Sequence, residues 1–490
     1  MQYDLDDWVS YTQSRHFANM TADPTYIYFA TRDGGILRYH IYQGFWDYPY
    51  TVSNGLPGNR VLRVIYDPNT SLLWAFTPGD QAVFNPASRE WIRKSETPEW
   101  NYQPPEDPPV GNLKDIPRER FLDRSALKFL PTFFANGEYS FLEGGRIMDG
   151  NFQEFPIAGF FRDRLNRIWF LVDGFGVGRG DFFTQRADFY EIGLSDIAPR
   201  ALAFQGDDMW IGGRDLRRKG ERPGIVRWPF EEEGWRHYQA RWISHLPSDE
   251  VNDILVVGDT VWFATEFGVS VYDSDRDRWK NFDLGDGLVS HQVRDLALLG
   301  AYVYVATDQG LNRIHRHTGI VERIPERRFI SLPFFRLAAG RDTLWAGTLR
   351  GIFRYVDSTG RWEYVKTRAA IQDAPVTAVD VWENEVWFAS PGGIFYWNAR
   401  TDVWESFPQI APEVGPPYRD IKADEEAVWV ATRHGLLKYD RVRGYWRLYT
   451  TEDGLLHNNC HQLLLDGDYI WIANDAGITQ FYWNNPNRSD

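Results

Sequence analysis

The stretch that decides the fold lies at residues 428–449. Residues 428–432 (VWVAT) form a short apolar run, residues 435–439 (GLLKY) follow a turn, and residues 445–449 (YWRLY) follow a second polar turn. Short alternating runs separated by polar or glycine-containing turns are typical of antiparallel strands joined by hairpins. The pattern therefore predicts strand, turn, strand, turn, strand.

The same unit recurs along the chain. The aromatic residue of its apolar run returns in steps of 41 or 42 residues, at Trp262, Tyr304, Trp345, Trp387, Trp429 and Trp471. Weaker copies centre on Tyr28, Trp74, Tyr139, Trp169 and Trp210, which gives eleven copies. A period near 42 residues with about four short strands per unit is the signature of a β-propeller blade. We expect an all-β protein of about eleven four-stranded blades. Because a propeller ring usually holds about four to eight blades, we expect these blades to form two rings.

The two ends of the sequence complement each other. Residues 8–11 (WVSY) read as the fourth strand of a blade, whereas the last copy has Arg488 where its fourth-strand aromatic would fall. We predict that the N-terminal strand closes the last blade. Residues 1–94 then hold the closing strand and two blades, residues 95–124 a proline-rich insertion or linker, and residues 125–490 the remaining blades, with the division between rings left open.

Composition limits the classes of function. The formal net charge is −15, from 68 acidic and 53 basic residues, which argues against nucleic acid as the main partner. The sequence has no run of 18 apolar residues, so no membrane span is predicted. Residues 1–7 lack the basic and apolar regions of a signal peptide.

Tryptophan is abundant, and its positions favour a structural role. Of the 22 Trp residues, 16 fall at two repeat positions and are predicted to fill the space between blades. The six others could stack on a ligand: Trp100, Trp228, Trp242, Trp382, Trp397 and Trp483.

Candidate binding residues follow from the repeat. Loops that precede the innermost strands converge on the mouth of a propeller channel. The predicted mouth residues are His16, Asn59, Arg60, Asp249, Glu250, His291, Gln292, Asn458 and Asn459. The predicted channel-lining residues are Arg63, Asp253, Asp295, Arg336, Asp420 and Gln462. Such a mixture of charges suits a polar ligand, and the alternative is a wet channel whose charges pair with one another.

Catalytic patterns are sparse. The ten histidines show no metal-ligand spacing, and no serine lies in a nucleophile-elbow motif. The acidic run Asp273, Asp275 and Asp277 lacks the glycine and the final acid of a calcium loop. We predict no catalytic residue, no metal and no cofactor. A lyase site built on His291 and Glu250 is the alternative.

The loops before three inner strands carry a shared motif. They read NGLPGN at residues 54–59, DGLVSH at 286–291 and DGLLHN at 453–458, and strands of the form V-W-x-A-T-x-x-G-L follow. These residues resemble the two-component regulator propeller repeat, over nearly the whole chain and most clearly at 251–482. The chain is also similar to a propeller component of the type IX secretion apparatus.

The resemblance implies a function that the residues alone do not. It implies a non-enzymatic ligand- or protein-binding propeller of the bacterial cell envelope, acting in signal transduction or as a secretion-associated scaffold. Its partners would be a glycan, a peptide or an envelope protein, and its location periplasmic or extracellular. The alternatives are a propeller lyase or hydrolase acting on a polar polymer such as a glycan, and a cytoplasmic interaction platform, which the missing signal peptide would suit.

Overall fold

The computed structural model describes residues 3–106, 116–135, 137, 139–216, 222–367, 371–407, 414–486 and 488. Within these ranges the chain forms strands and four short 3-10 helices, Val52–Asn54, Lys94–Glu96, Arg124–Phe129 and Arg327–Phe329, which confirms the all-β prediction. No helix of this described part is long and apolar enough to cross a membrane. Part of the predicted proline-rich insertion, residues 107–115, lies outside the described residues.

The chain divides into two compact units. Unit 1 comprises Met1–Leu194, Glu231–Arg236 and Pro486–Asp490, and unit 2 comprises Ser195–Phe230 and His237–Asn485. Both ends of the chain therefore belong to unit 1, and unit 2 is inserted between them in sequence. The predicted closure of the last blade by the N-terminal strand involves residues of both units and stays a prediction.

Unit 1 contains strand β1 (Trp8–Tyr11) and three sheets. The first has β2 (Phe17–Ala22), β3 (Tyr26–Thr31), β4 (Ile36–His40) and β5 (Phe45–Tyr50), and the second has β6 (Arg63–Asp67), β7 (Leu72–Phe76), β8 (Gln81–Asn85) and β9 (Glu90–Arg93). The third has eight strands: β10 (Phe121–Asp123), β11 (Phe134–Ala135), β12 (Ser140–Leu142), β13 (Arg146–Met148), β14 (Glu154–Arg162), β15 (Arg167–Val172), β16 (Gly176–Asp181) and β17 (Arg186–Glu191).

One predicted blade is wrong. Tyr139 lies between β11 and β12, and both strands belong to the same eight-stranded sheet as Trp169. The Tyr139 ring packs against Phe175 and Phe189 in the core of that sheet. The described residues thus form ten sheets where eleven four-stranded blades were predicted, because the Tyr139 segment extends an existing sheet.

Unit 2 contains seven sheets, each with strands in sequence order. Their bounds are β18 (Ile197–Gln205), β19 (Asp208–Asp215), β20 (Ile225–Pro229) and β21 (Arg236–Tyr238); β22 (Val251–Val257), β23 (Thr260–Thr265), β24 (Gly268–Asp273) and β25 (Arg278–Phe282); β26 (Val293–Leu299), β27 (Tyr302–Thr307), β28 (Gly310–His315) and β29 (Val321–Arg323); β30 (Phe334–Ala339), β31 (Thr343–Thr348), β32 (Gly351–Val356) and β33 (Arg361–Tyr364); β34 (Ala378–Trp382), β35 (Glu385–Ser390), β36 (Gly393–Asn398) and β37 (Val403–Phe407); β38 (Tyr418–Ala423), β39 (Ala427–Thr432), β40 (Leu436–Asp440) and β41 (Tyr445–Tyr449); β42 (Cys460–Asp466), β43 (Tyr469–Asn474) and β44 (Gly477–Tyr482).

The first strands of these sheets form a closed ring. They lie side by side in the order β18, β22, β26, β30, β34, β38 and β42, and β42 lies beside β18 again. Unit 2 is therefore a seven-bladed propeller with the first strand of each blade innermost.

The space between blades is filled by the repeat aromatics. Trp429, which is fully buried, packs within its own blade against Tyr449 and touches Phe481 and Trp483 of the next blade. The first-position Trp residues of both units are all buried, as the sequence predicts for structural residues. Trp242 is the most exposed of the six remaining Trp residues, at 45%.

Candidate functional site

The shared loop motif has a structural role. Asn54, Asp286 and Asp453 each accept a hydrogen bond from the backbone N–H three residues earlier, at 2.7, 3.0 and 2.9 Å. The glycine that follows has a positive φ in each loop, and the leucine after it is buried. The motif therefore closes a turn and anchors it to the core, so its residues contribute to the fold and need no ligand to explain them.

A set of polar side chains holds the inner strands of unit 2 together. We call Asp253, Asp295, Arg336, Asp380, Asp420, Lys422 and Gln462 the girdle. In five places a girdle oxygen accepts the backbone N–H of the next inner strand: Asp253 from Leu296 at 3.0 Å, Asp295 from Leu337 at 2.5 Å, Asp380 from Ala423 at 2.9 Å, Asp420 from Leu463 at 2.9 Å, and Gln462 from Leu202 at 2.5 Å. The last of these bonds joins the seventh blade to the first.

The girdle charges also pair with one another. Arg336 donates to Asp295 at 2.7 Å, Lys422 lies 3.6 Å from Asp380, and Gln462 donates to Asp253 at 2.9 Å. Burial raises the pKa of Asp295 to about 7, with the Asp253 carboxylate adding to the effect. Burial lowers the pKa of Arg336, but the neighbouring carboxylates outweigh it and the net shift is upward. The girdle therefore stabilises the ring. It contains five of the predicted channel residues, together with Asp380 and Lys422, which the sequence did not single out.

The repeat position just before that of Asp253, Asp295, Arg336, Asp420 and Gln462 has a different environment. Six of the seven inner strands of unit 2 carry a β-bulge at their start, at Arg200, Asn252, Arg294, Phe335, Arg419 and His461, and Thr377 takes the equivalent position in the remaining strand. We call these seven residues the bulge ring. A bulge turns its extra residue away from the regular alternation of the strand. All seven line one cavity of about 460 Å³, together with Glu266, Gln292, Arg336, Pro417 and Tyr418.

The cavity is rich in arginine. Burial lowers the pKa of Arg200, Arg294 and Arg419 below the ordinary value. The guanidinium of Arg294 lies 5.0 Å from the centre of the Phe335 ring. The Nε atom of Arg200 is buried and has no hydrogen-bond partner in the described part of the chain. Glu266 is the acidic residue of the lining.

A hydrogen-bonded chain orders one side of the cavity. Arg419 donates to Nδ1 of His461 at 2.5 Å, and Nε2 of His461 donates to Asp475 at 2.6 Å, a tautomer that follows from these two contacts. Asn459 donates to the other Asp475 oxygen at 2.5 Å. Burial lowers the pKa of His461, and the hydrogen bond from His461 holds the pKa of Asp475 well below its usual range. The chain fixes the Arg419 guanidinium at the cavity wall.

The predicted mouth residues of unit 2 divide by role. Gln292 lines the cavity. Asp249 and Asn458 accept backbone N–H groups of their own loops, from Ala240 at 2.7 Å and from Thr451 at 2.9 Å. The His291 ring lies beside the Phe267 ring, with centroids 6.2 Å apart.

Glu250 is the other half of the alternative lyase pair. It lies close enough to Arg200 that its negative charge opposes, without reversing, the lowering of the Arg200 pKa by burial. Among the described residues no group of three or more His, Cys, Asp or Glu side chains is placed to hold a metal ion.

The remaining predicted residues belong to unit 1. Nδ1 of His16 lies 3.0 Å from Asp173, and Asn59 accepts the backbone N–H of Val52 at 2.9 Å. Arg60 is exposed, and burial lowers the pKa of Arg63 on β6. These four residues are therefore not part of the unit 2 cavity lining.

The bulge ring could have been found in the sequence. Its members stand ten residues before the first aromatic of each repeat, from residue 200 before Trp210 to residue 461 before Trp471, and three arginines and a histidine share that one position. Strict alternation assigns this position to the opposite face from the girdle, which is why sequence reasoning passed over it.

Comparisons with known proteins give similarity of structure alone. No protein-family model matches the sequence, and the comparison with curated proteins found no match. Among solved structures, the extracellular domain of a hybrid two-component system of B. thetaiotaomicron is 16% identical, with a TM-score of 0.49 and coverage of 95% of this chain and 61% of that chain. Virginiamycin B lyase from Staphylococcus aureus is 14% identical, with a TM-score of 0.46 and coverage of 58% and 94%. PorZ, a surface component of the type-IX secretion system of Porphyromonas gingivalis, is 12% identical, with a TM-score of 0.36 and coverage of 97% and 87%.

Proposed function

We propose that this chain is a non-enzymatic binding propeller of the bacterial cell envelope, sensor-like or secretion-associated, which holds its ligand in the unit 2 cavity. One observation supports this most directly. Side chains from the same repeat position of seven blades converge on a single cavity of about 460 Å³. This volume lies within the range of about 300–1,000 Å³ that ligand pockets occupy.

The cavity is built on rigid elements. Its bulge-ring residues stand directly beside the girdle, whose hydrogen bonds join each of five inner strands to the next. A pre-organised wall of this kind favours binding because little side-chain and backbone freedom is lost when the ligand enters.

The chemistry of the lining favours binding over catalysis. His461 is the lining residue best suited to take a proton at neutral pH. Both of its ring nitrogens are already in hydrogen bonds, to Arg419 and to Asp475. The placement in the envelope and the choice among peptide, glycan and envelope protein as the partner rest on the resemblance of the repeat.

A cavity-filling substitution tests the proposal. The purified chain is screened by thermal shift against oligosaccharides and peptides, and each hit is repeated with Thr377→Trp, which places an indole in the cavity. The matched control is Thr401→Trp, at an exposed hairpin residue. We expect hits that stabilise the native chain and the control, by about 2.7 kcal/mol at a hundredfold excess over Kd, and that fail to stabilise Thr377→Trp.

Three results would contradict the proposal. Hits that stabilise Thr377→Trp as well as the native chain would place binding elsewhere. Mass spectrometry of each hit after prolonged incubation with the protein would reveal cleavage products if the chain were a lyase or hydrolase. Fractionation of the producing cells, followed by immunoblotting, tests the envelope location, and recovery in the cytoplasm would contradict it.

A further inference from the structure

Three arginines of the cavity stand out for what surrounds them. Arg200, Arg294 and Arg419 occupy the same repeat position in a chain with a net charge of −15. Within the described ranges, none of the three has a carboxylate within ion-pair distance, whereas the girdle residue Arg336 is paired with Asp295 at 2.7 Å. A half-buried guanidinium without a counter-ion is costly, and a bound anion would relieve that cost.

The arginines form two positive poles. In ring order, Arg419, His461 and Arg200 come from three consecutive blades, those of β38, β42 and β18. Arg294 comes from the blade of β26, separated from Arg200 by the blade of Asn252 and from Arg419 by the blades of Phe335 and Thr377. One pole therefore contains two guanidinium groups, and the other contains Arg294.

The surrounding charges leave the first pole positive. The pKa of Arg200 is lowered, first by burial and then by the positive charges of Arg214 and Arg419. The carboxylates of Asp475 and Glu250 act in the opposite direction, but they do not outweigh these effects. Asp475 is itself committed to His461 and Asn459. The protein environment therefore does not neutralise Arg200, and its buried Nε atom has no hydrogen-bond partner among the described residues.

The second pole combines charge with an aromatic surface. Arg294 lies over the Phe335 ring, and burial is the main cause of its lowered pKa. Pro417 and Tyr418, which precede Arg419 in the chain, also belong to the lining. Such a wall suits the carbon skeleton of a ligand whose charged ends lie at the arginines.

The girdle carries charges of both signs beside the bulge ring. Its four aspartates against Arg336 and Lys422 give it more negative than positive groups. Burial raises the pKa of Asp253, Asp295 and Asp380, which is the response of carboxylates held in an environment that disfavours their charge. The charge of these carboxylates is therefore reduced, and Arg336 and Lys422 pair with two of them. The arginines of the bulge ring have no such carboxylate partner among the described residues.

We propose that the cavity is a two-pole anion site for a small ligand with two carboxylate, sulfate or phosphate groups, one held by Arg200 and Arg419 and the other by Arg294. This inference deepens the proposed function and rests on it, because it assigns a ligand class to the same cavity. The cavity volume limits the ligand to small-molecule size.

Calorimetric titration of the full chain with matched acids tests the assignment. The probes are adipate and suberate, which have two carboxylates, hexanoate, which has one, and digalacturonate, which separates sugar acids from open-chain acids. The variants are Arg200→Gln, Arg294→Gln and Arg419→Gln. The control is Arg361→Gln, which removes one positive charge at an exposed residue outside the cavity.

We expect at least one diacid to bind about tenfold or more tighter than hexanoate, because each charge-assisted hydrogen bond adds that much. Arg294→Gln should reduce the affinity for the diacid to that for hexanoate. Arg200→Gln and Arg419→Gln should each do the same. Arg200→Gln is the cleaner variant, because Arg419→Gln also removes the hydrogen bond to His461. The control should bind like the native chain. Raising the salt from about 50 to about 200 mM should weaken diacid binding.

Other outcomes separate the two proposals. If no diacid binds below about 10 mM, or if diacids bind no tighter than hexanoate, the anion assignment is wrong. The binding function still stands if a neutral ligand stabilises the native chain and fails to stabilise Thr377→Trp. Diacid binding that survives both Arg294→Gln and Thr377→Trp would place the site elsewhere and overturn both proposals.

Discussion

Gln462 closes the ring of unit 2, and its removal should be costly. Its Oε1 atom accepts the Leu202 N–H at 2.5 Å, and its Nε2 atom donates to Asp253 at 2.9 Å. Leu202, Asp253 and Gln462 are all buried, so water cannot readily replace either bond. Gln462→Ala leaves one buried donor and one buried acceptor unsatisfied, at about 1–3 kcal/mol each. We expect it to lower the free energy of unfolding of unit 2 by about 2–6 kcal/mol.

Differential scanning calorimetry measures this effect. For a unit of this size, 1 kcal/mol corresponds to roughly 2 °C in Tm, so the expected decrease is about 4–12 °C. Gln309→Ala is the matched control, because Gln309 is exposed and, among the described residues, its side-chain amide donates one hydrogen bond, to Asp308 at 3.2 Å. The control should change stability by less than about 0.5 kcal/mol. A Gln462→Ala protein that unfolds within about 1 °C of the native chain would refute the closing role of this residue.

Gln462→Glu separates the two hydrogen bonds of this side chain. The new carboxylate can still accept the Leu202 N–H, but it faces Asp253 without a donor. Two buried carboxylates in contact raise the pKa of the pair above the unfolded value. The penalty is then present at high pH and decreases as the pH falls and one carboxylate takes a proton. A stability deficit for Gln462→Glu that is equal at pH 8 and pH 5 would show that the bond to Asp253 is misassigned.

Three further predictions concern packing, turns and pH. Trp429→Ala should destabilise the protein by about 3–5 kcal/mol in urea unfolding, and the exposed Trp242→Ala by less than about 0.5 kcal/mol. Gly268 has a φ of +107° and a Cβ there would lie 2.1 Å from a carbonyl oxygen, whereas Gly258 has a φ of +61° and open space around it. Gly258→Ala should therefore cost about 1 kcal/mol and Gly268→Ala severalfold more, measured in the same way. Burial raises the pKa of Asp249 to about 6, so its contribution to stability is complete at low pH and is lost as the pH rises through about 6. The Tm of Asp249→Asn minus that of the native chain should rise between about pH 4 and pH 7, and a constant difference would contradict the raised pKa.

The repeat predicted most of the fold because its signals are local. Alternation, glycine turns and the period of the aromatic residues are properties of short segments, and they place nearly every strand of the blades. The Tyr139 copy failed because an apolar run does not specify its partner. Such a segment could start a new sheet or extend a neighbouring one. In the structure it extends the neighbouring sheet, where Tyr139 packs against Phe175 and Phe189.

The division into units depends on contacts that no local pattern contains. Glu231–Arg236 belongs to unit 1 although the chain on both sides of it belongs to unit 2. Glu233 accepts hydrogen bonds from Arg179 at 2.8 Å and from Tyr39 at 2.7 Å, partners that are far away in sequence. From the sequence alone, this acidic segment is a polar turn between two strands.

The sequence pattern identified the inner strands as the source of the candidate site, and the bulge-ring residues that line the cavity stand one repeat position before the predicted channel residues. The prediction relied on strict alternation, whereas six inner strands of unit 2 carry a bulge that places two successive residues in different surroundings. Asp420 and Arg419 illustrate the consequence. Asp420 binds the backbone of the next blade, and Arg419 lines the cavity.

The hydrogen bonds of each position indicate which polar residues serve the fold and which remain for a ligand. The girdle residues form hydrogen bonds with inner-strand N–H groups and with one another. These bonds explain why the girdle residues are polar, and no ligand is needed to account for them. The bulge-ring arginines differ. Arg200 is partly buried and Arg294 lies over the Phe335 ring, and neither has a carboxylate within ion-pair distance among the described residues. A charge that the protein does not compensate is retained against a free-energy cost. Substituting a girdle residue should therefore change the stability of the ring, and substituting a bulge-ring arginine should change ligand binding.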